Sequence, residues 1–221
     1  MQNRLLRYPL DGPGGVETLL IGGGLHLLAV YLPVVPHVLV LGYLLAVVVH
    51  TASDQDAGEH GAPQFVTLPP TRTQARRLLT DGVRGSVVTA VYLAVPAAIL
   101  LVTVQGVGGL SELTPASGAA VTVGGTAALV SAAVFCYPLP AALSNVGRRR
   151  SVRAGFDTTI LRRGALDARY FVGWATGIGA LAVGLAVAEP LFPYGVGFFL
   201  LFYAEVVAAA QWGWGISLVL E

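Results

Sequence analysis

A chain of 221 residues that is 55% hydrophobic and only 11% charged, with a mean hydropathy of +0.72, is too apolar to dissolve in water as an ordinary domain. Its apolar residues fall into blocks of about 17 to 25, the length of a helix crossing a bilayer core of about 30 Å at about 1.5 Å per residue. A β-barrel would alternate apolar and polar residues instead, and with a net charge of +1 no nucleic-acid partner is expected. The expected fold is all-α: one polytopic transmembrane bundle of about six spans over residues 1–221.

In chain order, Arg4 and Arg7 precede the first apolar run. No small-residue cleavage site with a soluble domain behind it follows, so a retained first span is expected rather than a signal peptide. The first block is too long for one span, and Pro33 and Pro36 divide it into short segments at about 16–33 and 36–50. A polar stretch at 51–84 reads as a loop. Further spans are expected at about 85–105, interrupted by Pro96, at 118–143, at 168–188 and at 191–216, with a second polar loop at 144–167. The single cysteine, Cys136, lies in an apolar block and reads as a small buried residue.

All thirteen basic residues are arginine. With the N-terminus inside, two precede the first span, four lie from Arg72 to Arg84 and seven from Arg148 to Arg169, so all face the cytoplasm. This predicts a multi-pass protein of the cytoplasmic membrane with both termini cytoplasmic. Tyr170, Trp174, Trp212 and Trp214 are expected at the inner interface and Tyr31, Phe192 and Tyr194 at the outer one.

Several short motifs recur in a telling order: RYPL at Arg7 to Leu10, a Gly-rich first span, a Pro turn into Gly42-Tyr43, and Pro63 in the first loop. Asp81-Gly82, Gly155-Phe156-Asp157 and Phe202-Tyr203 follow. Together they make the chain resemble the domain of unknown function 4013 family of multispan membrane proteins common in haloarchaea. The sequence departs from that family after Pro63, where VTLPPTRTQ stands in place of an acidic and aromatic stretch. The resemblance implies an architecture and an archaeal source, and no catalytic residues.

Glu205 is the carboxylate well inside a span, costly there unless paired or wet, and His26 lies about midway along the first span. The two are expected to share a depth and meet as an intramembrane polar pair, read either as a structural clasp or as a proton relay. His50, Asp54, Asp56, Glu59 and His60 lack the ligands of a calcium loop and read as a solvated acidic loop, so no metal is expected. In 151–163, Val152, Phe156 and Ile160 recur four apart among arginines, the pattern of a helix on the inner leaflet. Arg148, Arg149, Arg150, Arg153, Arg162 and Arg163 are the expected contacts to anionic lipid headgroups.

Gly22, Gly23 and Gly24, with Gly173 and Gly177, read as sites of close helix contact. Gly106 to Gly109 lacks the Lys-Ser/Thr of a phosphate loop. No HExxH, GxSxG or paired acidic motif is present, and no catalytic residue or cofactor is expected. The leading reading is a non-enzymatic protein of transport or of membrane scaffolding and assembly; the alternative is an embedded enzyme acting on lipid. Oligomeric state and protein partners are not encoded legibly.

Overall fold

The structure, a computed structural model, describes residues 2–11, 14–53, 62–65, 71–108 and 115–220, and among these there is no strand. The helices are α1 (Gln2–Asp11), α2 (Gly15–Ala29), α3 (Val34–Ser53), α4 (Arg72–Gly108) and α5 (Pro115–Cys136). They continue with α6 (Leu139–Arg149), α7 (Thr158–Leu166), α8 (Ala168–Ala188) and α9 (Val196–Leu220). Short 3-10 turns at Val152–Phe156 and Glu189–Tyr194 join α6 to α7 and α8 to α9.

Among the described residues, five helical segments are long and apolar enough to cross a membrane: Val34–Ser53, Arg72–Gly106, Val121–Arg149, Ala168–Tyr194 and Val196–Val219. The chain is a multi-pass membrane protein. At 15 residues α2 is a shorter apolar helix, about 22 Å long, below the thickness of a hydrocarbon core.

Helix α4 starts well before 85, inside the stretch read as a loop. The reason is local: Gln74 N donates to Thr71 Oγ1 and Thr71 N donates to Gln74 Oε1, each at 3.3 Å, a reciprocal box that satisfies two amides at the helix start. Asp81 then sits between Arg77 and Arg84, at 3.7 and 2.9 Å, on one face of the same helix. This charged first part of α4 packs along α3, where a Cβ on Gly42 would strike the Leu78 carbonyl and one on Gly82 the Val38 carbonyl.

The apolar block at 118–143 is broken between α5 and α6. Pro138 and Pro140 have no N–H to donate, and Pro140 would have served the Cys136 carbonyl. Helix α8 meets this break: Trp174 Nε1 donates to Cys136 O at 3.2 Å in place of the missing amide, and the Tyr170 hydroxyl donates to the neighbouring Tyr137 O at 2.7 Å. Tyr170 is buried in the core, with 1% of its surface exposed. Ser144 and Asn145, expected in the second loop, are buried within α6, and Asn145 Nδ2 donates to Ala154 O at 2.6 Å.

Helix α9 is the centre of the bundle, packing on α8, α3, α2 and α1. Small residues permit this: a Cβ on Gly173 would lie 2.6 Å from Gly215 Cα, and Gly177 and Gly184 face Trp212 and Ala204. The outer parts of α4 and α5 pack on each other and present Leu100, Leu101, Val102, Val123, Leu129 and Val130 outward, as lipid-facing helices do.

Candidate functional site

His26 is in the last turn of α2 and Glu205 in the first half of α9, two helices that run antiparallel. Because helical side chains lean toward the N-terminus of their own helix, the two reach toward each other from opposite directions. His26 Nε2 lies 3.2 Å from both Glu205 Oε1 and Glu205 Oε2, while His26 Nδ1 donates to the Gly22 carbonyl at 3.0 Å. Gly22 and Gly23 bring α2 onto α9, since a Cβ on either would enter the ring of Phe202 or Phe199; Gly24 faces open space and is not part of this contact.

These bonds restrict where hydrogens sit. With Nδ1–H committed to Gly22, a neutral ring accepts at Nε2 and requires a protonated Glu205; a protonated ring donates at Nε2 and faces a carboxylate. Either way one proton lies between the two groups. Nε2 carries at most one hydrogen, so one carboxylate oxygen is left without a donor, and Glu205 Oε2 is buried in that condition. His26 is 7% exposed and the Glu205 side chain 22%. His37, on the first turn of α3, lies edge-on with its ring 5.9 Å from that of His26 and donates from Nδ1 to Pro33 O at 2.5 Å.

An aromatic layer lies against the pair. The Phe202 ring is 5.9 Å from His26, 5.8 Å from Tyr43 and 6.2 Å from Phe65, and Phe65 stacks on Tyr43 at 4.6 Å. Phe65 arrives from the polar connection between α3 and α4, where nothing in the sequence pattern marked it. Its backbone is held by other elements: Ala62 N donates to Tyr8 O at 3.0 Å, the Tyr43 hydroxyl to Pro63 O at 3.0 Å and Phe65 N to Thr18 Oγ1 at 3.2 Å. Irregular backbone is tolerated inside a membrane protein when its polar groups are satisfied in this way.

On its far side Phe65 lines a cleft of about 510 Å³ between α3 and the start of α4, together with His50, Gln64, Gln74, Arg77 and Asp81. The Tyr8 hydroxyl and His50 Nδ1 are hydrogen-bonded at 3.2 Å. Neither His26 nor Glu205 lines the cleft. His50 thus belongs to the cleft wall, whereas Asp54, Asp56, Glu59 and His60 lie outside the described residues, as do Gly109 and Glu112. Among the described residues no group of three metal-binding side chains comes together.

The arginine-rich segment is not one helix. Asp157 is extended and its side chain accepts from Thr159 N at 3.1 Å, so it caps α7 and ends the preceding 3-10 turn. Val152, Phe156 and Ile160 therefore share no continuous face: Val152 packs on the core formed by Val88, Tyr92, Leu143 and Val146, and Phe156 stacks on Tyr92 at 5.8 Å. Arg148, Arg149, Arg150, Arg153, Arg162 and Arg163 are all exposed, with Arg149 3.3 Å from Asp157. Asp167 caps α8, and the hydrogen bonds from Arg169 side chain and backbone hold its carboxyl below its ordinary range.

The family model described as "Protein of unknown function (DUF4013)" matches residues 25–193. No curated protein and no solved structure matches the chain.

Proposed function

The chain belongs to the DUF4013 family, and from that premise together with the geometry of its interior we propose a transport-related role linked to proton movement. The observation that supports this reading is the His26–Glu205 pair: two ionisable groups stand 3.2 Å apart inside a helical bundle, an aromatic layer away from a polar cleft. In this role Glu205 exchanges the proton, His26 receives or returns it at Nε2, and Gly22 holds the ring orientation through Nδ1. The reading places the protein in the cytoplasmic membrane with both termini cytoplasmic.

Purified protein in liposomes carrying a trapped pH-sensitive dye, driven by a potassium diffusion potential, tests the proposal. Wild type is expected to pass protons faster than empty liposomes, and Glu205→Gln to fall to the empty-liposome rate. Wild-type flux no greater than that of empty liposomes would overturn it. A second reading, a scaffold in which the pair is a clasp, is favoured by the close aromatic packing around the pair, and it requires no flux.

The six exposed arginines support contact with anionic headgroups on the cytoplasmic face, each contributing on the order of 1 kcal/mol near a charged surface. Gln at 148, 149 and 150 is expected to weaken protease protection of 144–167 in anionic nanodiscs. Unchanged protection refutes the lipid contact.

A further inference from the structure

We propose that Phe65 is the closing element between the polar cleft and the His26–Glu205 pair, a proposal that rests on the proton-linked reading above. Three observations carry it. The Phe65 side chain belongs to both neighbourhoods at once: it lines the cleft, and it is stacked on Tyr43 and set beside Phe202, whose ring touches the His26 ring environment at 5.9 Å. From the cleft, then, the sequence of side chains to be passed is Phe65, Phe202, and the pair.

Phe65 also sits on a piece of chain that no helix carries. Residues 62–65 are non-helical, and three hydrogen bonds, to α1, α2 and α3, hold them in place. These bonds come from three different elements, so the segment is tied down as a latch rather than continuing any one of them. Phe65 is nonetheless only 6% exposed, as deeply buried as a core residue.

The third observation is room to move. The cleft of about 510 Å³ lies directly against Phe65, and Gly42, Leu45, Ala46 and Val49 on α3 form the apolar part of its wall. A phenyl ring leaving the Tyr43 stack therefore has an apolar surface to settle on. In the closed arrangement both oxygens of Glu205 face a single nitrogen, His26 Nε2, at 3.2 Å. In the open one, Phe202 has lost its neighbour at 6.2 Å and water from the cleft passes its edge to the carboxyl, which gives the proton a way in and out.

A water-soluble, charged carbodiimide with glycinamide converts an accessible Glu205 carboxyl to an amide, detected on its peptide by mass spectrometry, and needs no substitution at Glu205. In nanodiscs, where lipid shields the flanks of the bundle, Glu205 is expected to be protected in wild type and to react at least about tenfold faster in Phe65→Ala. Phe65→Trp is expected to stay protected. Phe65→Val, milder for folding, is expected to fall between.

Equal protection in Phe65→Ala and Phe65→Val, with both variants monodisperse, overturns the gate. A reactive Phe65→Ala without Glu205-dependent proton flux keeps the gate and removes the relay reading. Glu205-dependent flux with no change in labelling keeps the relay and removes the gate. Rapid labelling of wild type shows that Phe65 closes nothing and also overturns it.

Discussion

Replacing Glu205 or His26 by alanine removes one member of a pair that joins residues 179 positions apart, and the structure sets the scale of the loss. In Glu205→Ala, His26 keeps its bond to Gly22 but Nε2 faces an apolar surface; in His26→Ala, the carboxyl loses its partner. Leaving a buried polar group unpaired costs about 1–3 kcal/mol. The pair itself is worth less, because in the membrane-unfolded state both groups find other partners, and interhelical contacts of this kind average about 0.6 and reach about 1.7 kcal/mol. At 3.2 Å the contact is longer than the usual N–H···O bond, and Glu205 is partly exposed, so a coupling near about 1 kcal/mol is expected. Steric-trapping measurements in bicelles on wild type, both single variants and the double variant give the coupling as a double-mutant cycle. Additivity within about 0.3 kcal/mol would refute the idea that the two side chains support each other in the folded protein.

Gly22→Leu drives a side chain into the Phe202 ring and is expected to destabilise by about 1–3 kcal/mol, whereas Gly24→Leu, facing open space, should be nearly neutral. Equal losses in thermal melts of the two variants would contradict the α2–α9 contact. Asp167 has a folded-state pKa below its unfolded value, so its stabilising effect is complete above the unfolded pKa and disappears as pH falls through the folded one. The stability gap between wild type and Asp167→Asn is therefore expected to close on acidification below the ordinary carboxylate range; a gap that widens there reverses the sign. With the proposed orientation, a membrane-impermeant thiol reagent added outside cells labels Glu112→Cys but not Arg76→Cys or Arg150→Cys. Outside labelling of Arg150→Cys would invert the topology.

The pairing of His26 with Glu205 is readable in the sequence because each is a lone ionisable group in the middle of an apolar run, and burial forces such groups to find one another. Phe65 is not readable in that way. A single aromatic in a polar connection carries no periodicity, and its place is decided by two hydroxyls and one carbonyl on distant helices. The early start of α4 was signalled locally, by the Thr71 and Gln74 spacing of a capping box, but a run containing Arg72, Arg76 and Arg77 looks like a loop when length and hydropathy alone are weighed. Likewise Asp157 ahead of two threonines is a helix start, and it divides a stretch whose apolar residues have helical spacing.

The position of α9 at the centre of the bundle has a consequence for how the protein is made. The helix that the first hairpin needs is made after all the helices between them, so His26 and the Gly22–Gly23 face of α2 enter the membrane with their partners still unmade. Until Val196–Leu220 arrives, α1 and α2 are held by each other, by α3 and by the Phe65 latch, while α3 also rests on α4 and α6. A chain ending at Gly195 is accordingly expected to keep its α4–α5 hairpin but to lose protease resistance in α1 to α3. Supplying 196–221 as a separate peptide should restore it, which would make assembly of this protein a return of α9 onto α1 to α3 rather than an addition of spans in order.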